Sequence, residues 1–158
     1  MVQIHSEQTR QADQICQQGI DLCEQQNFLE AHKLFQKAFE LDPQSARAMS
    51  WLGYTTAVVE RKVQKALDLC RKAIDSHIPD VFFFRNIGKV YLLANNKRAA
   101  IGAFAKGLQI DKTNRDILNE WKVLGFRRRV VISFLDRSHW VNKNIGKFTW
   151  WFTHRDKS

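Results

Sequence analysis

Glycine is among the least favoured residues inside a helix, about 1 kcal/mol worse than alanine. This chain nevertheless sets three glycines at a regular interval. Gly19, Gly53 and Gly88 stand 34 and 35 residues apart. Ala31, Ala66 and Ala100 recur at 35 and 34, as do Phe35, Cys70 and Phe104, and also Ala38, Ala73 and Gly107. One residue inserted between Gly53 and Ala66 accounts for both spacings. Four families of positions in step define an internal repeat, the signature of a stacked array whose units bury their apolar faces against one another.

Each unit reads as two helices. In the first, Ile15, Gly19 and Leu22 mark one helix and Gln26-Asn27 a turn. Asn27 followed by Glu30 is a capping-box pattern that opens a second helix. Its stripe Ala31, Leu34, Phe35 and Ala38 follows helical periodicity, and Asp42-Pro43 stops it. The second unit repeats the scheme with Leu52-Gly53 and with Ala66, Leu69, Cys70 and Ala73, ending at Pro79. The third has Phe84, Ile87, Gly88 and Tyr91, then Ala100, Phe104 and Gly107, ending at Asp111-Lys112. The glycines and alanines are expected where paired helices approach closely, with Phe35 and Phe104 filling the space between units.

As a set, these offsets resemble the tetratricopeptide repeat. Three units cover about 12–45, 46–80 and 81–114, roughly two-thirds of the chain. The individual units depart from the pattern at Gln18, Thr56 and Cys70, and the third lacks its closing proline. The resemblance implies an all-α, right-handed superhelical array of antiparallel helix pairs, whose first helices line a groove that holds a peptide or helix of a partner. Carried onto this sequence, the groove comprises Asp13, Cys16, Ile20 and Cys23, then Arg47, Ser50, Trp51, Tyr54 and Ala57, then Phe82, Arg85, Asn86, Lys89 and Leu92. Cations set among aromatic rings suit a segment that is apolar with acidic residues, oriented by Arg47 and Arg85. Relatives that clamp a chaperone's C-terminal carboxylate need Lys and Asn on the first helix, then Asn and Lys or Arg on the next two. Cys16, Ile20, Trp51, Phe82 and Asn86 stand there instead, so that clamp is absent.

The reading is of a non-enzymatic adaptor or assembly factor, with a secretion-type chaperone that shields an apolar client segment as the alternative. His5, His32, His77, His139 and His154 have no metal-like spacing, and no phosphate loop or hydrolase motif occurs. No catalytic residue, metal or cofactor is expected. Cys16, Cys23 and Cys70 form no CxxC and read as reduced core thiols. The polar N-terminus and the lack of a long apolar run give a cytoplasmic expectation. A homo-oligomer is compatible with the sequence.

Residues 115–124 read as a capping helix, with Ile117, Leu118, Trp121 and Leu124 on its apolar side, ended by Gly125. The remainder differs. Of the formal charge of +9, residues 122–158 hold most, with nine cations against Asp136 and Asp156. Arg127, Arg128, Arg129, Lys143 and Lys147 interleave there with aromatics that include Trp150 and Trp151. Three readings stand for this basic aromatic extension, 126–158. It folds back on the array, contacts an anionic membrane surface, or, less favoured, binds nucleic acid.

Overall fold

The computed structural model describes residues 2–76 and 78–124, and the extension 126–158 lies outside them. Every element among the described residues is helical. They are α1 (Val2–Glu24), α2 (Phe28–Leu41), α3 (Ala46–Thr55), a π-helical turn (Thr56–Glu60), α4 (Val63–Ile74), α5 (Val81–Leu93), α6 (Lys97–Ile110) and α7 (Arg115–Val123). The chain divides between Ile117 and Leu118, within α7 and short of Gly125. The first unit holds the three helix pairs and the start of α7; residues 118–124 complete α7 in the second.

Helices pack as α1 on α2, α3 on α4 and α5 on α6, and successive pairs join through α2–α3, α3–α5 and α4–α5. The repeat glycines explain the pairing. A Cβ at Gly19 would lie 2.7 Å from Phe35 Cε1, and one at Gly88 would collide with the Phe104 ring. In the middle pair Cys70 replaces phenylalanine and the backbones close in. A Cβ at Gly53 would meet Cys70 Sγ at 2.6 Å and the Ala66 carbonyl at 2.9 Å. Glycine thus recurs opposite the same position of the partner helix in all three pairs. Gly107 does the same for α7, where a Cβ would stand 2.6 Å from Ile117 Cδ1. Ala31, Ala66 and Ala100 are fully buried beside these contacts.

Polar caps set the helix ends. Asn27, Ser45, Asp80 and Asn96 each accept a hydrogen bond from a backbone N–H in the first turn of the next helix, which satisfies a donor the helix itself leaves open. Gln26, Arg61 and Asn95 turn the chain inside the three pairs with φ of 62°, 57° and 55°. After two of them the chain bonds back, Asn27 N–H to Leu22 O at 2.9 Å and Asn96 N–H to Tyr91 O at 2.8 Å, using carbonyls at the helix end.

The inserted residue between Gly53 and Ala66 resides in the π turn, since an i→i+5 turn takes up one residue more than an α turn. That turn brings Glu60 back onto α2. The buried His32 places Nε2 2.9 Å from Glu60 Oε1 and Nδ1 3.1 Å from Thr55 Oγ1, and Lys62 Nζ lies 2.8 Å from Glu60 Oε2. The Lys62 ammonium above all, with His32 and Lys65 behind it, holds the Glu60 carboxyl below its ordinary value against the opposing effect of burial.

Two measurements test this packing. Gly53→Ala should lower stability by about 1–3 kcal/mol, because its new methyl meets backbone that cannot swing aside. Gly102, in α6, has open space around its Cβ position, so Gly102→Ala should gain about 0.5–1 kcal/mol. Chemical denaturation of both variants reads the opposite signs. The Glu60 contribution exists above the usual glutamate pKa of 4.5 and disappears as pH falls through the lower folded value. Glu60→Gln should therefore melt below wild type at pH 7, with the gap closing on acidification.

Candidate protein-interaction face

The residues assigned to the groove come from α1, α3 and α5, which lie side by side, α1 against α3 and α3 against α5. Their side chains divide by depth. Cys16, Ile20, Ser50, Trp51, Tyr54, Ala57 and Asn86 are buried, while Cys23, Arg47, Phe82, Arg85, Lys89 and Leu92 are half-buried and Asp13 is exposed. Much of the predicted lining is therefore the wall between adjacent pairs, and the half-buried set is what a partner can reach. Arg127, Arg128, Arg129, Lys143, Lys147, Trp150 and Trp151 fall outside the described residues.

Trp51 anchors the wall. Its ring stacks on Phe35 at 5.6 Å and 14°, which ties the first pair to the second, and approaches Tyr54 at 6.4 Å and Phe82 at 6.2 Å. Phe28 meets Tyr54 edge-on. The cations lie on this aromatic floor. Arg85 sits 5.4 Å from the Trp51 ring centre and 5.8 Å from that of Phe82, and Lys89 sits 5.4 Å from Tyr54. Contacts of this kind hold a cation through the ring quadrupole while leaving its N–H groups available for hydrogen bonding.

Each candidate cation has local company that composition could not reveal. Arg47 donates to Gln17 Oε1 across the α1–α3 boundary at 3.1 Å. The Arg85 guanidinium meets Asp116, in the first turn of α7, at 3.2 Å, and Asp116 is half exposed. Asn86 donates to Ser50 Oγ at 3.1 Å, joining α5 to α3. Among the described residues, Trp51 Nε1, Arg85 Nε and Asn86 Oδ1 are buried without a hydrogen-bond partner. An unmatched buried polar atom costs about 1–3 kcal/mol, which the packing of α3 against α5 has to offset at these three atoms.

Gln17, Asp116, His32 and Glu60 escaped the sequence reading. Treating α7 as the next first helix of the series would have brought Asp116 opposite Arg85. His32 neighbours the core stripe of α2, but its partner Glu60 depends on the π turn, which a spacing argument places only to within a dozen residues.

The thiols are shielded from reaction. Burial pushes Cys16 and Cys70 up to about 12 and Cys23 up to about 11, and the lowering influence of Arg47 on Cys16 and of Arg85 and Lys89 on Cys23 does not offset it. At neutral pH they stay protonated and pack as small apolar groups. No three metal-ligating side chains converge among the described residues.

Because Trp51 is a core residue, Trp51→Ala should cost about 3–5 kcal/mol of folding stability. A urea titration that left the midpoint unchanged would place Trp51 on an open surface instead.

No family model matches the sequence, and no curated protein is significantly similar to it. Solved structures give a consistent answer. The first tetratricopeptide-repeat domain of human RPAP3 superposes with a TM-score of 0.60 at 16% identity, over 73% of this chain and 91% of that one. The corresponding domain of Spaghetti, bound to the HSP90 peptide SRMEEVD, gives 0.58 at 16% identity over the same shares. The Arabidopsis OM64 domain gives 0.61 at 15% identity, over 78% of this chain and 99% of that one. The described helices thus adopt a tetratricopeptide-repeat-like, all-α fold.

Proposed function

We propose that this chain is a non-enzymatic adaptor that binds an extended or helical segment of a partner protein across α1, α3 and α5. The observation that carries the reading is the half-buried cation pair on the aromatic floor, Arg85 on Trp51 and Phe82 and Lys89 on Tyr54. An apolar side chain of the partner packs on Phe82 and Leu92. A partner carboxylate bonds the Arg85 guanidinium on the side where it meets Asp116. The fold likeness to a domain holding an HSP90 peptide supports a peptide as the class of ligand. The residues differ from a carboxylate clamp, so the segment is read internally rather than at its C-terminus.

Asp116 bears on affinity. Arg85 is 15% exposed but Asp116 is 53% exposed, so an incoming carboxylate can compete with Asp116 for the guanidinium from the solvent side. The test is selection from a displayed random-peptide library, followed by titration of the selected peptides. Peptides mixing acidic and apolar residues are expected. Arg47→Glu with Arg85→Glu should weaken them more than about tenfold with helicity intact, and Asp116→Asn should tighten them. Wild-type affinity in the double variant would move the site off this face.

A further inference from the structure

Beyond partner binding, the structure carries a second surface with an unusual charge arrangement. We propose that the edge formed by the turns inside the second and third helix pairs docks on an anionic phospholipid surface. α4 and α6 both start at this edge, because each follows its antiparallel partner and the two pairs stack through α3–α5 and α4–α5.

The charges there run against helix electrostatics. A helix N-terminus carries partial positive charge and favours acidic residues. α2 and α7 follow that rule with Glu30 and Asp116. α4 and α6, like α1, α3 and α5, have no acidic residue in their first turns. Instead the edge holds Arg61, Lys62, Lys65, Lys97 and Arg98, all exposed, against Glu60. Glu60 is itself shared among His32, Lys62 and Lys65. Lys62 and Lys65 already meet Glu60 and Arg98 has interactions within the fold, yet the five cations still exceed the one carboxylate at the start of these helices, and that excess suits an anionic partner.

Two further features select lipid over other polyanions. Leu93, 53% exposed, ends α5 directly before the Asn95-Asn96 turn, and Leu29, 56% exposed, lies in the first turn of α2 at the corresponding turn of the first pair, where Glu24 and Glu30 are also exposed. Aliphatic side chains beside lysines match a headgroup layer, where the chain stems and leucines enter and the ammonium groups meet phosphate. The large exposed apolar residues among the described residues are Leu29, Ile78, Leu93, Ile110 and Val123, with no ring for a base to stack on. The opposite edge is balanced: Glu40, Asp75, Asp80, Asp111 and Asp116 stand there with Arg47, Arg71, Lys72, Lys112 and Arg115, so the excess of positive charge lies at the turn edge.

The experiment is co-sedimentation of the whole chain with phosphatidylcholine vesicles, with and without phosphatidylserine. A cation near such a surface is worth about fivefold in partitioning. Arg61→Gln, Lys62→Gln, Lys97→Gln and Arg98→Gln together should therefore lower binding to the serine-containing vesicles by at least about tenfold. The same number of changes away from the edge (Lys37→Gln, Lys72→Gln, Lys106→Gln and Lys112→Gln) should leave most of it, and so separates the edge from the basic extension, which both variants keep. Leu93→Asp should weaken binding further, and added salt should release the wild type. The pair Lys62→Gln and Lys97→Gln serves if the quadruple variant misfolds. Equal losses in the edge and control variants, no preference of the wild type for serine-containing vesicles, or tighter binding to duplex DNA than to vesicles would each overturn the proposal.

Discussion

The closest approach between paired helices sets everything else in this array. At Gly19 and Gly88 an aromatic ring lies against bare backbone, and at Gly53 a cysteine and a carbonyl do. The helix propensity lost at each glycine is small beside the burial it permits, because Phe35 and Phe104 become fully buried only where no side chain faces them. Phe35, fixed in this way, then offers its other face to Trp51. The contact within one pair thereby determines the contact between pairs, and the aromatic floor inherits its position from a glycine a helix away.

On that floor the cations and the core are not separate layers. Arg85 and Lys89 rest on rings that also hold α3 against its neighbours. Electrostatic recognition and packing therefore share side chains, which explains why some residues assigned to a groove prove to be interior. The family pattern identifies which side of each first helix faces its neighbours, but not how deeply each position lies. Ser50 and Asn86 show the difference: two polar residues at groove positions bond each other and vanish from the surface.

The fold was legible because its determinants are local and periodic. Gly19, Gly53 and Gly88 are spaced by the repeat itself, and Asn27 with Glu30 announced a cap that the structure retains. The site was only partly legible, since pairings such as Arg85 with Asp116 and Arg47 with Gln17 join residues about 30 apart. No pattern of apolar residues encodes them. The insertion between Gly53 and Ala66 was visible as a change of spacing, whereas its form as a wider turn and its grip on His32 depend on backbone hydrogen bonding.

That wider turn makes the middle pair an odd member of its own series. The residue added at 56–60 lets the chain reach Ala66 in register while carrying Glu60 to the imidazole of α2. Removing any one residue of the turn would restore the length of the other two pairs. It would also rotate the downstream residues by about 100° about the helix axis, the step of a single α-helical residue. His32 would then stand in the interior facing no carboxylate. The lengthened helix and the buried histidine are thus one inheritable feature, and a chain that lost either would be pressed to lose the other.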